Sequence, residues 1–329
     1  MTVPLLSVDG LGVTFATAQG PVRAVDGVSL HVNAGEVFGL VGESGSGKSV
    51  TLRAIGRLLH GHAAVTGQVR WMGEDLLAAS PARLRAIRGA GIGMVFQEPT
   101  AALNPVLTVG LQIEESLAAH TDLTRTQRRT RAAELLGLVG IPSPAARLGQ
   151  FTHEFSGGMR QRAMIAIALA AGPKLLLADE PTTALDVTIQ DQVLKLLLRL
   201  VDELGMALVL VTHDLGVVAE TCDRMAVMYA GRICETGPAT AIFAHPRHAY
   251  TDALLRSMPG DGPARGMLLS IPGQPPRLDR PMQGCAFTPR CGYAEARCPE
   301  QAPVLAPQPE GQHAACYASD RLPARQALA

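Results

Sequence analysis

Hydrophobic positions fall into distinct textures along the chain. Up to Val95, short apolar runs alternate with turn signals, as in Val28-Ser-Leu-His-Val32 and then Glu36-Val-Phe-Gly-Leu-Val41. The second run is apolar over Val37–Val41 and bounded by a glycine, the pattern of a strand buried on both faces of a parallel sheet. From Thr108 to Gly140 the spacing becomes helical, with arginines concentrated over Thr124–Arg131. Alternation of strands and helices then returns. It predicts a strand over Lys174–Ala178, a helix over Val187–Leu204, a strand over Ala207–Thr212, a short helix, and a strand over Met225–Tyr229. Such alternation implies a parallel sheet covered by helices on both faces. After Met258 periodicity fades, Pro and Gly become frequent, and four of the six cysteines fall between Cys285 and Cys316. That segment is expected to be a small appendage with too thin a core to stand without a staple. No repeat at a solenoid or propeller period is visible.

Charge narrows the partners. Lys+Arg and Asp+Glu are both 29 in 329 residues, so there is no electrostatic case for nucleic acid. Only three lysines occur, Lys48, Lys174 and Lys195, so nearly all basic charge is arginine. The N-terminal residues carry no basic start followed by an apolar run, and so do not read as a secretory signal. The longest apolar stretches, around Met164–Gly172 and Met206–Val211, are far shorter than the roughly eighteen residues of a membrane span. Any membrane role is therefore expected to come through partners. Six cysteines without a signal suggest a reducing compartment, where metal ligands or buried thiols outnumber disulfides.

Candidate chemistry begins at Gly42-Glu-Ser-Gly-Ser-Gly-Lys48-Ser49, which lies between the strand Val37–Val41 and a helical stretch over Val50–Leu59. Glycines let backbone N–H groups turn inward around phosphate oxygens, beside the positive end of the following helix. Lys48 would reach the β- and γ-phosphates, and the Ser49 hydroxyl would ligate Mg²⁺. A lysine is informative in so arginine-rich a chain, because the cradle needs a compact point charge. The bland alternative, a flexible Gly/Ser loop, explains neither the strand before it nor the helix after it.

Leu175-Leu-Leu-Ala178-Asp179-Glu180 is an apolar strand ending in two carboxylates. Asp179 suits a hold on Mg²⁺ and Glu180 the polarisation of attacking water, although acidic strand ends are also common surface features. Phe155-Ser156-Gly157-Gly158-Met159-Arg160 precedes a helix predicted over Ala163–Ala171. It offers a hydroxyl, bare amides and the helix dipole as a second anion site, or simply an N-cap with a glycine turn.

In order and spacing, these residues resemble the ATPase subunits of ABC transporters over roughly residues 5–255. The series runs from the phosphate loop to Gln97 in Val95-Phe-Gln-Glu-Pro99, then the signature at 156–160 and the strand ending at Asp179 and Glu180. It closes with Ala184-Leu185-Asp186 and His213 in Val211-Thr-His-Asp214. The resemblance implies an α/β fold: a P-loop NTPase (RecA-like) core with an antiparallel β N-terminal part and an inserted α-helical subdomain at approximately 98–165. A small irregular Cys-rich C-terminal domain would follow, with the ATPase occupying 1–256 and the appendage 257–329. It further implies ATP bound head to tail between two subunits. Gly42, Ser44, Gly45, Ser46, Gly47, Lys48, Ser49 and Val50 of one would face Ser156, Gly157, Gly158 and Asp186 of the other, with Phe15 stacked on adenine. Ser49, Gln97 and Asp179 would hold Mg²⁺, and Glu180, His213, Lys48 and Gln97 would carry catalysis. Phe155 and Met159 depart from the commonest signature, which has leucine and glutamine there; the serine and both glycines remain.

Further segments resemble the dipeptide/oligopeptide importer branch, which includes nickel and glutathione importers. They are Val41–Val50, Ala101-Ala-Leu-Asn-Pro105, Thr183–Gln190 and His245-Pro-Arg-His-Ala-Tyr-Thr251. The branch implies a second, homologous ATPase as heterodimer partner, two transmembrane permeases and an extracytoplasmic solute-binding protein. The chain would then sit peripherally on the cytoplasmic face of the membrane. The spacing Cys285-x5-Cys291-x6-Cys298-x17-Cys316 is metal-like, but leaves zinc and an iron–sulfur cluster equally open. The resemblance favours [4Fe–4S] over Zn²⁺ or unligated thiols, and leaves Cys222 and Cys234 as buried thiols. An exporter ATPase, a non-transport ABC ATPase acting on DNA or ribosomes, and a non-enzymatic nucleotide module are the rival functions. Intact Glu180 and His213 oppose the last, and the lack of a second cassette or coiled-coil insertion opposes the DNA- or ribosome-acting class.

Overall fold

The computed structural model describes residues 3–59, 61, 63–183, 186–258, 270–280 and 282–325. In chain order, β1 (Leu6–Thr17), β2 (Gly20–Val32) and β3 (Val37–Val41) lead to α1 (Lys48–Ile55), then β4 (Ala63–Trp71) and β5 (Glu74–Asp75). α2 (Pro81–Ile87) and β6 (Ile92–Val95) precede a helical run of α3 (Pro99–Ala102), α4 (Val109–His120), α5 (Arg125–Leu138), α6 (Pro144–Arg147) and α7 (Gly157–Leu169). β7 (Leu175–Asp179), α8 (Val187–Leu204) and β8 (Ala207–Val211) restore alternation, followed by α9 (Leu215–Thr221), β9 (Arg224–Tyr229) and β10 (Arg232–Pro238). α10 (Ala239–Ala244), α11 (Ala249–Arg256) and the two-residue strands β11 (Ala306–Pro307) and β12 (His313–Ala314) complete the series. The described residues form two compact units, one within 1–32, 36–77 and 211–329, the other within 33–35 and 78–210.

In the first unit, β1 buries Leu6, Val8, Leu11 and Val13, while residues between them stay partly or fully exposed. That alternation makes a half-buried antiparallel sheet of order β2-β1-β4-β5, with Leu6 opposite both Val32 and Trp71. β3 is buried at all five positions and pairs in parallel with β9, Phe38 opposite Arg224 and Val41 opposite Val227. β10 runs antiparallel to β9, and β12 adds to β10 through Glu235–Ala314 and Thr236–His313. The segment expected to be irregular thus donates a strand to the sheet. It also inserts Phe287, 2% exposed, edge-on against Tyr229 and Tyr250 with ring centroids 5.4 and 5.3 Å away. The structure buries Cys222 and Cys234 within the same unit.

The second unit contains the strand order β8-β7-β6, with β6 and β7 parallel. α8 presents Val193, Leu196, Leu197, Leu200 and Val201 to the core, an i, i+3, i+4 stripe, between the Asp186 N-cap and a left-handed Gly205. The helical stretch predicted over Thr108–Gly140 is two helices, because Thr124 starts a new one through a capping box with Gln127. No helix among the described residues is long and apolar enough to cross a membrane.

One buried acid makes stability depend on pH. Glu235 is fully buried and accepts from the Arg247 and His248 amides at 2.6 and 2.9 Å. Desolvation pushes its carboxyl from 4.5 up to about 7 against the pull of those donors and Thr251. Between the two values the folded chain keeps a proton that the unfolded chain releases, so this contribution to stability falls as pH rises through the window. Buried His248, lowered by desolvation to about 4, works in the opposite sense below 6.5. Glu235→Gln isolates the carboxyl. The unfolding free energy of wild type relative to Glu235→Gln should fall from about pH 4.5 to about pH 7 and be level above it. Urea titrations across that range check this, and a difference constant over the window would contradict it.

Candidate functional site

The phosphate loop is shaped by backbone meeting backbone. β3 ends at Val41, and Gly42 and Gly47 follow with φ +146° and +106°. A Cβ at Gly42 would collide with the Met228 carbonyl oxygen, and one at Gly47 would lie 2.5 Å from the Ala24 carbonyl oxygen. Glycine is therefore required twice over, by conformation and by space. The loop is pinned on its far side too: the Gly231 amide donates to the Ser46 carbonyl at 2.9 Å, and the Thr51 hydroxyl to the Gly47 carbonyl at 2.9 Å. Helix α1 begins at Lys48, two residues earlier than predicted, because left-handed Gly47 serves as its N-cap. Lys48 is buried and its Nζ donates to the Gly42 and Glu43 carbonyls at 2.8 and 3.0 Å, closing the loop on itself. The Ser46 hydroxyl is buried with no hydrogen-bond partner in the described structure, a polar atom the protein leaves unmatched inside the loop.

Ser44 and Gly45 are exposed at the loop crest, and Ser49 and Val50 are half-buried on the first turn of α1. Phe15 is half-buried on β1, opposite Val22 of β2 and Ala63 of β4. His213 is exposed beyond β8. The Thr212 hydroxyl accepts from the Asp214 amide at 3.0 Å, and Asp214 caps α9.

The second unit brings its own polar groups together. Asp179 ends β7 and is fully buried. Glu180 follows with φ +45°, a left-handed conformation that costs a non-glycine residue about 1–3 kcal/mol. Its Oε2 accepts from Gln97 Nε2 at 3.2 Å and from the Thr183 hydroxyl at 2.8 Å. Gln97 reaches it because it stands two residues past β6, the parallel neighbour of β7. On another part of the unit, Ser156, Gly157, Gly158, Arg162, Asp186 and Ile189 line a depression of about 390 Å³. Ser156 caps α7 by accepting from the Met159 amide at 3.4 Å, and Asp186 caps α8 by accepting from Ile189 at 3.0 Å. α7 starts at Gly157, not at Ala163 as predicted: capping by Ser156 outweighs the poor helix propensity of two glycines. Phe155 is 2% exposed, so its departure from leucine is a core change. Ala184 and Leu185 lie outside the described residues.

Cys285, Cys291, Cys298 and Cys316 line one cavity. Backbone amides point at three of the sulfurs: Tyr293 at Cys291 and Glu295 at Cys298, both 3.3 Å, and Ala318 at Cys316, 3.4 Å. Burial pushes the Cys285, Cys291 and Cys316 thiols up. Among the described residues no three His, Cys, Asp or Glu side chains meet the geometry for holding a metal ion.

Comparison with known proteins places this arrangement. Residues 25–183 match the family profile described as ABC transporter. The chain is 49% identical to the probable peptide ABC transporter ATP-binding protein y4tR of Sinorhizobium fredii, covering 97% of this chain and 96% of that protein. It belongs to the ABC transporter ATP-binding proteins. Residues 234–298 match the profile described as Oligopeptide/dipeptide transporter, C-terminal region, which stops short of Cys316. Dipeptide transport ATP-binding protein DppD of Escherichia coli is 50% identical, with 95% of this chain and 96% of DppD covered. Oligopeptide transport ATP-binding protein OppD of Bacillus subtilis is also 50% identical, with 92% and 85% covered. A solved post-hydrolysis dimer of the ATP-binding cassette MJ0796 with ADP and Pi matches with a TM-score of 0.64 at 30% identity, over 71% of this chain and 98% of that one. The fold is accordingly that of an ABC ATPase with a P-loop core.

Two residues at the phosphate loop of this ABC ATPase escaped sequence reasoning. Tyr250 accepts from the Glu43 amide at 2.8 Å, and Arg290 bonds the Glu43 carboxylate. Tyr250 lies within the quoted His245–Thr251 segment, whereas nothing near Arg290 signals a partner 247 residues away.

If the Glu180 carboxylate polarises the attacking water, Glu180→Gln keeps its acceptor oxygen and loses only the basic group. Hydrolysis should fall by about a hundredfold or more while Mg-ATP binding persists. Single-turnover hydrolysis alongside retention of labelled ATP checks this, and unimpaired turnover would assign the role elsewhere.

Proposed function

We propose that this chain is the ATP-hydrolysing subunit of an ABC importer for dipeptides and oligopeptides. The observation that carries the reading is the near full-length likeness to DppD and OppD, whose names assign them dipeptide and oligopeptide transport. The intact loop at 42–49, with its buried Lys48 and unmatched Ser46 hydroxyl, supports ATP as the substrate. On this reading residues 1–256 are the ATPase, with its helical part at approximately 98–165, and 257–329 form the appendage.

The loop amides and Lys48 bind and orient the triphosphate, and Phe15 flanks the base. Glu180, oriented by Gln97 and Thr183, would polarise the water that attacks the γ-phosphate, and His213 would contact that phosphate. Ser49, Gln97 and Asp179 would hold Mg²⁺, which would supply positive charge to neutralise the phosphates. Ser156, Gly157, Gly158 and Asp186 close the site of an opposing, homologous ATPase subunit. Two permeases and an extracytoplasmic binding protein complete the importer, and the chain lies peripherally on the cytoplasmic face of the membrane. Nickel or glutathione import is the second reading, favoured only by the shared branch.

The four cavity cysteines are proposed to hold a [4Fe–4S] cluster that staples the C-terminal segment. Support comes from their common cavity and from amides aimed at the sulfurs, contacts that stabilise thiolate ligands. The chain purified without oxygen should be brown and contain iron and sulfide. Serine at any of the four positions should bleach it, whereas Cys222→Ser and Cys234→Ser should not. Stoichiometric zinc would replace the cluster in this account, and metal-free protein would contradict both.

Function is tested in cells. A strain lacking the chain should lose uptake of labelled dipeptide and recover it with wild type but not with Lys48→Ala. Recovery with Lys48→Ala would contradict the assignment of the loop, and lost nickel uptake with intact peptide uptake would favour the second reading.

A further inference from the structure

Glu43, the second residue of the phosphate loop, is gripped from outside the loop. The Arg290 guanidinium donates to both carboxylate oxygens, Nη1 to Oε2 at 2.7 Å and Nη2 to Oε1 at 2.9 Å. This is a bidentate fork, the strongest and most directional form of such a pair. The rest of the guanidinium is also fixed. Nη1 meets the Tyr229 hydroxyl at 3.1 Å, Nη2 the Ile271 carbonyl at 3.3 Å, and Nε the Pro272 carbonyl at 2.9 Å. The Arg290 side chain is only 4% exposed, so solvent screens little of this. The Glu43 amide is held as well, by the Tyr250 hydroxyl at 2.8 Å.

The remaining polar group of Glu43 faces the loop interior. Its carbonyl accepts from Lys48 Nζ at 3.0 Å and from the Ser46 amide at 3.2 Å. One residue therefore links two environments: its side chain and amide are clamped by the C-terminal half, and its carbonyl fixes the lysine of the cradle.

We propose that Arg290 is a positioning residue for nucleotide binding, holding Glu43, and through its carbonyl Lys48, in the geometry an incoming triphosphate meets. The inference rests on residues 42–49 being the ATP site. Two effects act in the same direction. A loop that samples other conformations binds with an affinity reduced by the fraction of competent loop. A Glu43 carboxylate released from its arginine also places uncompensated negative charge beside an anionic ligand.

The test is calorimetric titration of the full chain with Mg-ATP, well below its thermal midpoint. Arg290→Met should raise Kd by about tenfold. Arg290→Lys, which keeps the charge but not the fork, should recover part of that loss. The double variant Glu43→Gln/Arg290→Met should bind no more weakly than Arg290→Met alone, since both act through one contact. Arg224→Met breaks another ion pair of the same unit, with Glu36 at 2.9 Å, and should lower the thermal midpoint while leaving Kd unchanged. If Arg290→Met does not fold, Arg290→Lys and Glu43→Gln carry the test, each expected to raise Kd by about threefold or more. Wild-type Kd in folded Arg290 variants would overturn the proposal, as would equal weakening by Arg224→Met. A wild-type chain that does not bind Mg-ATP would overturn the ATP-site reading and the proposal with it.

Discussion

The phosphate loop exists because two glycines let peptide backbone press directly on peptide backbone. Gly42 rests against the Met228 carbonyl at the end of β9, and Gly47 against the Ala24 carbonyl of β2. Neither approach leaves room for a methyl group, and both glycines occupy the half of conformational space that other residues avoid. Much follows from this wedge. It sets where α1 begins, so that Lys48 opens the helix with its ammonium folded back on the Gly42 and Glu43 carbonyls. It also needs β9 close beside β3; the two strands pair in parallel, and every residue of β3 is buried.

Rigidity of the loop is completed from the C-terminal part of the chain, which is more than an appended tail. Tyr229, Tyr250 and Phe287 form an aromatic cluster beneath it, and β12 extends the sheet from the edge of β10. Glu235, buried in the same region, holds the Arg247 and His248 amides and so orders the entry to α11, the helix that carries Tyr250. The second unit stores strain in a different form, with Glu180 held left-handed while Gln97 and Thr183 fix its carboxylate. Sites that must present a charged group at a set angle are where such conformations are retained.

Much of this was legible in the residues themselves. The apolar run Val37–Val41, the alternation after Lys174 and the loop between strand and helix all appear where hydrophobic period and glycine spacing predicted. Helix starts were less legible: the glycines at 47, 157 and 158 read as loop or turn residues ahead of helices expected from Val50 and Ala163, whereas Gly47 is an N-cap and Gly157 and Gly158 are first-turn residues. β11 and β12 are two residues each, too short to show a period, so the C-terminal segment read as wholly irregular. The four cysteines could be grouped by spacing, but the amides aimed at their sulfurs depend on turns that no sequence pattern announces. The Arg290–Glu43 pair was invisible for a simpler reason: contacts across most of the chain length leave no local trace.

The central claim is that amides within residues 44–49 receive the phosphates of ATP, the Glu43 amide being held by Tyr250. Hydrogen–deuterium exchange of the full chain, with and without Mg-ATP, tests it at the level of individual peptides. The account predicts slower exchange over 44–49 on adding nucleotide, with residues 156–160 of the isolated chain unchanged. Unaltered exchange over 44–49 under conditions where ATP demonstrably binds would contradict it.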